Sequence, residues 1–417
     1  MRTFTELPEL SLYIHIPWCI KKCPYCDFNS HQQKDTLPEE QYVDALLSDL
    51  AAEMPRVWGR TISSVFIGGG TPSLFSSDAL DKLFSGIRAL TALSPIIEVT
   101  MEANPGTFEQ AKFTDFRQLG INRLSIGVQS FNDRYLKKLG RVHAGDEAKR
   151  AVEIAHTAGF DNVNVDLMFG LPNQSNSDAL NDVQAALSLE PTHISYYELT
   201  LEPNTLFAKH PPKLPHDDTR SQIQDKGIDL LAEHHYERYE ISAFAKPNLR
   251  CEHNNNYWLF GDYLGIGAGA HSKITFANTG NIVRRWKHKH PARYMQGTNT
   301  PTDGFIGGES VVKETDSALE FMMNALRLVD GFAIPMFEQR TGVSLNHWQG
   351  AIDTAIEKGL LEQSGLRLKA STLGFNFLNN LIELFMPNDI VEKPARTYPI
   401  VPLKSEQFVT QVKKRDT

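Results

Sequence analysis

A Cys19-x3-Cys23-x2-Cys26 cluster, set in Tyr13-Ile14-His15-Ile16-Pro17-Trp18-Cys19-Ile20-Lys21-Lys22-Cys23-Pro24-Tyr25-Cys26-Asp27-Phe28, constrains this chain more than any other stretch. It holds three of the four cysteines in 417 residues. At that spacing the backbone is expected to loop so that three thiolates converge on one point. Thiolates are soft ligands, suited to zinc or to iron–sulfur clusters. Structural zinc takes four protein ligands, often as two separated pairs, so a zinc site would have to recruit His15, His31 or the distant Cys251. A cubane cluster on three cysteines instead leaves one iron open to a small molecule. Three clustered cysteines and one distant one are no disulfide framework, and they fit a reducing compartment.

Composition narrows the class. Hydrophobic residues at 41% and charged residues at 22% are those of a soluble globular protein. The length predicts a large domain and a smaller one, divided as 1–312 and 313–417. A net charge of -8 argues against general nucleic-acid binding, whose footprint is basic. No apolar run is long enough to span a bilayer, and Met1 to Leu10 lacks the apolar core of a signal peptide. A cytoplasmic location is expected.

Leu12, Ile14 and Ile16 alternate with Tyr13 and His15, which predicts a strand over 11–16. A helix over 37–54 and an apolar run, 64–67, follow, the run ending in Gly68-Gly69-Gly70-Thr71-Pro72. The alternation then continues with helix 77–90, strand 96–102, helix 109–119, strand 122–128, helices 132–139 and 146–158, strand 162–167, helix 177–189 and strand 193–199. Strands alternating with amphipathic helices mean parallel pairing with right-handed crossovers. Six such units predict an α/β fold, a partial TIM-like (β/α)6 barrel. In such barrels chemistry sits where strands end. The cysteine loop follows strand one, Gly69, Gly70 and Thr71 follow strand two, and Glu102, Gln129 and Asp166 end strands three, four and five. Each has an ordinary reading as a tight turn, a cap or a surface carboxylate; five in equivalent places point to a shared site. Arg141 could form a bidentate pair with a carboxylate or be a solvated helix-end arginine. Tyr25 could stack on an adenine or shield the cluster.

The motifs Tyr13-Ile-His-Ile-Pro-Trp-Cys19, Gly68-Gly-Gly-Thr-Pro-Ser73, Glu102-Ala-Asn-Pro-Gly106, Ser125-Ile-Gly-Val-Gln-Ser-Phe131 and Asp166-Leu-Met-Phe-Gly-Leu-Pro172, in this order, resemble radical S-adenosylmethionine (SAM) proteins related to oxygen-independent coproporphyrinogen III oxidase (HemN). The resemblance runs from about residue 11 to residue 385. It implies a radical SAM barrel with Cys19, Cys23 and Cys26 holding a [4Fe-4S] cluster, and with Tyr13, Gly69, Gly70, Thr71, Glu102, Gln129, Arg141 and Asp166 around SAM. In this chemistry the cofactor supplies the reactivity and the protein the positioning. The oxidase branch resembles Cys-x3-Cys-x2-Cys-x-Cys, but Phe28 stands at the fourth place here, so coproporphyrinogen oxidase activity, the alternative reading, is not expected.

The heme-chaperone branch is the nearer resemblance, through Cys23-Pro-Tyr-Cys-Asp-Phe28 and His253-Asn254-Asn255-Asn256-Tyr257-Trp258. It implies heme binding and transfer to an acceptor protein. Neutral imidazole suits heme iron, which makes His253 a candidate axial ligand, and Tyr257 and Trp258 could lie against a porphyrin. The bland alternative is an asparagine-rich turn ending in two core aromatics. Cys251 is either a competing attachment point or a buried thiol. The relatives' Tyr-Glu-Ile-Ser-Asn is Tyr239-Glu240-Ile241-Ser242-Ala243 here. Leu264 to Ser272 reads as a glycine-rich turn, and the basic stretch Arg284 to His290 as a solvated face, with heme propionates or an acidic partner as the alternative. Past Glu314, helices (one over 344–359, one over 373–386) and a hairpin at Gly365 to Ala370 predict a small, mainly helical, winged-helix-like domain, with Met322 and Met323 in its core and an irregular tail after Pro387. A homodimer and peripheral membrane contact are left open.

Overall fold

Strand β1 (Leu10–Ile16) has every residue buried except Tyr13, as a parallel strand covered on both faces requires. It starts a barrel wall in which β2 (Thr61–Gly69), β3 (Ala92–Ala103), β4 (Arg123–Gln129), β5 (Asn162–Phe169) and β6 (His193–Glu198) follow as parallel neighbours in chain order. The computed structural model describes residues 2–106, 110–300 and 303–386. Crossover helices α1 (Glu39–Glu53), α2 (Ser77–Leu90), α3 (Gln110–Gln118), α4 (Asp133–Lys138), α5 (Gly145–Thr157) and α6 (Asn176–Leu187) lie between successive strands. The expected alternation is therefore present; residue 109, where the helix 109–119 was placed to begin, lies outside the described residues. Up to Phe385 the described chain forms one compact unit, and among the described residues no helix is long and apolar enough to cross a membrane.

The sheet continues past the six expected strands. After helix α7 (Asp217–Glu233), β7 (Glu237–Glu240) and β8 (Ala243–Ala245) add antiparallel to the β6 edge. Helix α8 (Glu252–Trp258) then leads to β9 (Asp262–Ile266), which returns to pair in parallel with β1. Antiparallel β10 (His271–Phe276), β11 (Asn281–Lys287) and β12 (Ile306–Val311) complete a twelve-stranded sheet, ordered β12-β11-β10-β9-β1-β2-β3-β4-β5-β6-β8-β7.

Two sequence readings are corrected here. Leu264 to Ser272 is not only a turn: it is the end of β9, a tight connection and the start of β10. Nor is Arg284 to Lys287 a solvated face. It belongs to β11, where the Lys287 side chain is wholly buried, its Nζ 2.5 Å from Asp49 Oδ1 and 2.7 Å from Glu53 Oε1 of α1. Those carboxylates lie more than two hundred residues away in sequence, so nothing local announces the pairing.

The C-terminal segment has its own apolar cluster, built on Phe321, Met322, Phe332, Phe337, Leu345, Ile352 and Leu381, with Phe4 and Phe260 joining from earlier in the chain. Helix α9 (Glu314–Ala325) buries Met322 but leaves Met323 48% exposed, so only the first is core. Gly331 adopts φ +58, and a Cβ there would meet Leu368 O at 2.0 Å. Helix α10 (Ile334–Thr341) follows. The expected helix 344–359 is a short 3-10 turn, Leu345–Trp348, followed by α11 (Gln349–Glu357). The expected helix 373–386 is two pieces broken at Phe377, and the tail after Pro387 lies outside the described residues. A small antiparallel sheet, β13 (Phe332–Ala333), β14 (Leu361–Ser364) and β15 (Arg367–Ala370), in the order β13-β15-β14, packs with these helices.

Removing one partner of a buried ion pair costs about 3–5 kcal/mol, because the other charge is left uncompensated. Lys287→Met, which takes the cation from Asp49 while Glu53 keeps Arg285 and Arg56, is expected to lower unfolding free energy by about 3 kcal/mol, the low end of that range, in urea titration. A drop below 1 kcal/mol would show that the cluster is weakly held.

Candidate functional site

The loop after β1 turns on a hydrogen bond from Cys26 N–H to Cys23 O of 3.2 Å. The side chains of Cys19, Cys23 and Cys26, each partly exposed, line one cavity of about 400 Å³. They do not converge on a point as the spacing suggested: among the described residues, no three His, Cys, Asp or Glu side chains close on one metal-ion position. A four-iron cube is far larger than one ion, so donors spread around a cavity suit it better than they suit zinc. Two of the other zinc candidates, His15 and Cys251, are committed elsewhere, whereas His31 Nε2 is buried without a hydrogen-bond partner among the described residues. His15 Nε2 donates to Asn29 O at 2.9 Å, since a carbonyl can only accept, and its Nδ1 then accepts from Tyr13 Oη at 2.9 Å. Cys251 is fully buried, its thiol pushed up to about 12 by burial, and donates to Glu98 Oε1 at 3.5 Å. It is neither a zinc ligand nor a reactive thiolate.

A chain of polar contacts fixes two of the three cysteines. The Thr71 hydroxyl bonds Cys19, and Asn104 Nδ2 donates to Thr71 Oγ1 at 2.6 Å. Asn104 Oδ1 accepts from Arg141 Nη2 at 2.7 Å, which also reaches Gly127 O at 2.5 Å. Arg141 Nη1 lies 3.8 Å from Cys23 Sγ. Loops that follow β1, β2, β3 and α4 are thus joined by side chains. Arg141 is no solvated helix end, and its Nε is buried without a hydrogen-bond partner. Asn104, inside the Glu102-Ala-Asn-Pro motif, bridges the second and fourth of these loops, a task that no local sequence signal announces. Ser30 Oγ stands 3.8 Å from Cys26 Sγ.

Beside the cysteines, Glu102 accepts from Gly69 N–H at 2.9 Å. Burial drives its carboxyl up to about 7; the Gly69 bond opposes this and Asp166 adds to it. The glycines do something other than expected. A Cβ on Gly69 (φ +115) would lie 2.4 Å from the His15 ring, and one on Gly70 2.4 Å from Trp18 O. The N–H groups of Gly70 and Thr71 go to Ile16 O and Trp18 O, each at 2.7 Å. The missing side chains let the β2 loop pack on the cysteine loop, and the donors of all three residues are spent on protein. Gln129 ends β4 at φ +69, and its Oε1 accepts from Tyr197 Oη at 2.7 Å. Tyr25 lies in a small apolar group with Tyr135, Leu139, Met168 and Phe207. Gln129, Tyr25, Asp166 and Arg141 all line the cysteine cavity.

A second cavity of about 1140 Å³ shares part of that wall, including Cys26, Phe28, Gly69, Glu102, Asp166 and Tyr197. Phe28, 58% exposed, stands between the two. Tyr257 and Trp258 meet edge to face at 5.2 Å on its lining, and Arg327 lies 4.4 Å over the Trp258 ring. Arg284 lines it too, held by Tyr263 Oη and Glu320. Ala243 sits in β8 opposite Ser195.

His253 is on the first turn of α8. The carboxylate of Glu98 accepts from the N–H groups of Glu252 at 3.1 Å and His253 at 3.2 Å, and buried Arg123 lies 3.9 Å from it. The ring packs 5.0 Å from Phe66, and burial, reinforced by Arg123, lowers its pKa to about 3, so it is neutral. Ser64 Oγ spends its proton on Ser11 Oγ at 2.8 Å, so the contact with His253 Nδ1 at 3.2 Å must be donated by the ring. The lone pair is then on Nε2. Sequence reasoning missed Glu98 and Ser64, which carry no motif of their own.

The chain matches the model of the radical SAM superfamily over residues 13–186 and that of the HemN C-terminal domain over residues 312–377. The heme chaperone HemW of Escherichia coli (strain K12) is 47% identical over 381 residues, 91% of this chain and 99% of that protein. HemW of Bacillus subtilis (strain 168) is 34% identical over 360 residues, 85% of this chain and 93% of its own. Among solved structures, coproporphyrinogen III oxidase (HemN) from Escherichia coli, a radical SAM enzyme, superimposes with a TM-score of 0.77 over 91% of this chain and 90% of that one, at 22% identity, a likeness of fold. With relatedness of this extent along nearly its whole length, the chain belongs to the HemW family within the radical SAM superfamily.

Proposed function

We propose that this protein is a cytoplasmic heme chaperone that carries a [4Fe-4S] cluster and SAM at the barrel rim, binds heme iron through His253, and passes heme to an acceptor protein. The observation that carries the reading is the fixed tautomer of His253: a neutral ring whose Nδ1 proton is taken by Ser64 offers Nε2 as the iron donor, the arrangement a metal-ligating histidine needs. The cavity it lines has aromatic faces from Tyr257 and Trp258 and guanidinium groups from Arg284 and Arg327, matching a flat apolar macrocycle with carboxylate arms.

The cysteine set fits the cluster: three soft donors around one cavity, with the buried Arg141 Nε left for a ligand there. When bound, cluster and SAM together supply one-electron chemistry. The chain's own residues position. Arg141, Asn104 and Thr71 hold Cys23 and Cys19 in register. Carbonyls of Gly69 and Gly70, with Glu102, accept from the methionine amino group. Asp166 and Gln129 meet hydroxyls, and Tyr13 and Tyr25 wall the site. Phe28 puts no thiol where the oxidase branch has its fourth cysteine, which argues against decarboxylation of coproporphyrinogen III. Residues 1–312 are read as the barrel with its heme-motif extension, and 313–417 as the smaller C-terminal domain.

Absorbance titration with heme tests the reading. His253→Ala is expected to weaken binding by more than about tenfold, and Ser64→Ala, which frees the Nδ1 proton, by about tenfold. Equal affinity in wild type and His253→Ala overturns it, and turnover of coproporphyrinogen III with SAM and reductant would favour the oxidase instead. A second expectation concerns the cluster. Asn104→Ala breaks the Thr71–Asn104–Arg141 run, so anaerobically reconstituted variant should lose its iron to a chelator several times faster than wild type, with unchanged far-UV circular dichroism.

A further inference from the structure

A buried run of hydrogen bonds crosses the barrel interior from Asp166, on the wall shared by the two cavities, to the backbone that starts the His253 helix. Cys251 N–H lies 3.4 Å from Tyr239 Oη, and Tyr239 Oη 2.8 Å from His193 Nε2. His193 Nδ1 lies 2.6 Å from Asn164 Oδ1, and Asn164 Nδ2 donates to Asp166 Oδ1 at 2.7 Å. Cys251, Tyr239, His193 and Asn164 are all no more than 2% exposed.

With an ionised Asp166 at one end, the donors in this run fall into one order. A backbone N–H can only donate, so Tyr239 accepts from Cys251 and has its one proton free for His193 Nε2. His193 must then carry its proton on Nδ1 and give it to Asn164 Oδ1, which turns the amide nitrogen toward the carboxylate of Asp166. With Asp166 ionised, and so able only to accept, the two ends require the same order. Burial and the nearby Arg123 keep His193 uncharged. Bonds aligned head to tail in a dry interior polarise one another, so a change at one end alters the strength of the rest. The Asp166 end faces the proposed SAM pocket. The Cys251 end is the N-cap residue of α8, and His253 is the second residue of that helix. None of these residues is required by barrel packing alone: apolar side chains at 164, 193 and 239 would fill the same interior without desolvating polar atoms.

We propose that His193 and Tyr239 are positioning residues that tie the proposed heme ligand His253 to Asp166, so that occupancy of the SAM pocket and the affinity of His253 for heme iron are coupled. The inference rests on the heme-chaperone reading. A SAM hydroxyl donating to Asp166 competes with Asn164 for that carboxylate, loosens the run and shifts the first turn of α8. By linkage, heme changes SAM affinity by the same factor.

The test uses cluster-loaded full-length protein under anaerobic conditions, with heme titrated by absorbance with and without saturating SAM, and SAM titrated by equilibrium dialysis with and without heme. In wild type each affinity is expected to change by at least about fivefold, and by equal factors. In Tyr239→Phe, which keeps the ring and deletes one hydroxyl, both ligands are expected to bind while the factor falls to within about twofold of unity, below the range of a real coupling. A wild-type factor of one overturns the coupling and leaves heme binding at His253 standing. So does a Tyr239→Phe factor equal to that of wild type. If heme binding is indifferent to His253→Ala, the heme reading itself fails and this inference falls with it.

Discussion

The cysteine loop is held by side chains that come from other loops, and the rest of the site depends on that constraint. A three-residue run, Thr71–Asn104–Arg141, spans from Cys19 to Cys23, while Gly127 O accepts from the same Nη2 of Arg141 that bonds Asn104. Spread around one cavity, the three cysteines suit a large polynuclear group better than a single ion. Arginine suits the task because its planar fork can bond several acceptors in fixed directions and never loses its charge.

The same economy of contacts explains the glycines after β2. Their missing side chains allow the second loop to lie against His15 and Trp18 of the first, which brings Glu102 within reach of Gly69 N–H. A carboxyl whose titration burial moves up toward neutrality, next to a second buried carboxylate at Asp166, is a poor resting place for two negative charges. It becomes a favourable one when a cationic ligand arrives. A sulfonium with its ammonium group therefore relieves an electrostatic cost already present in the fold.

What could be read from sequence was what is local. The period-two pattern of β1, the repeated strand–helix alternation and the polar residues at strand ends all follow from short-range rules, and the barrel, its rim and the cysteine loop were legible from them. Long-range pairings were not. Lys287 looked solvated because its neighbours Arg284, Arg285 and His288 are polar, whereas its partners sit on α1. The strand β9 was hidden by glycines that allow its close approach to His15 and His271. Glu98 lay in an ordinary strand pattern, and its function as the cap of the His253 helix exists only once β3 and α8 meet. Met323 failed for a simpler reason: a methionine beside a buried one on a helix faces another way.

Strand β1 shows why both subsites belong to one molecule. Ser11, Tyr13 and His15 alternate along it and so share a face, the one turned into the barrel. Ser11 receives Ser64 and Asn256, which places the ring of His253 and the far end of its helix. Tyr13, two residues on, lies 6.4 Å from the His253 ring and donates to His15, and His15 in turn props the glycine loop beside the cysteines. Return of β9 to the outer edge of β1 closes α8 against this strand. A displacement of β1 by even a fraction of an ångström would be felt by the imidazole and by the cysteine loop together, because packed interiors pass on strain and do not absorb it. The pocket proposed for the porphyrin thus rests on the same strand that leads into the cysteine loop.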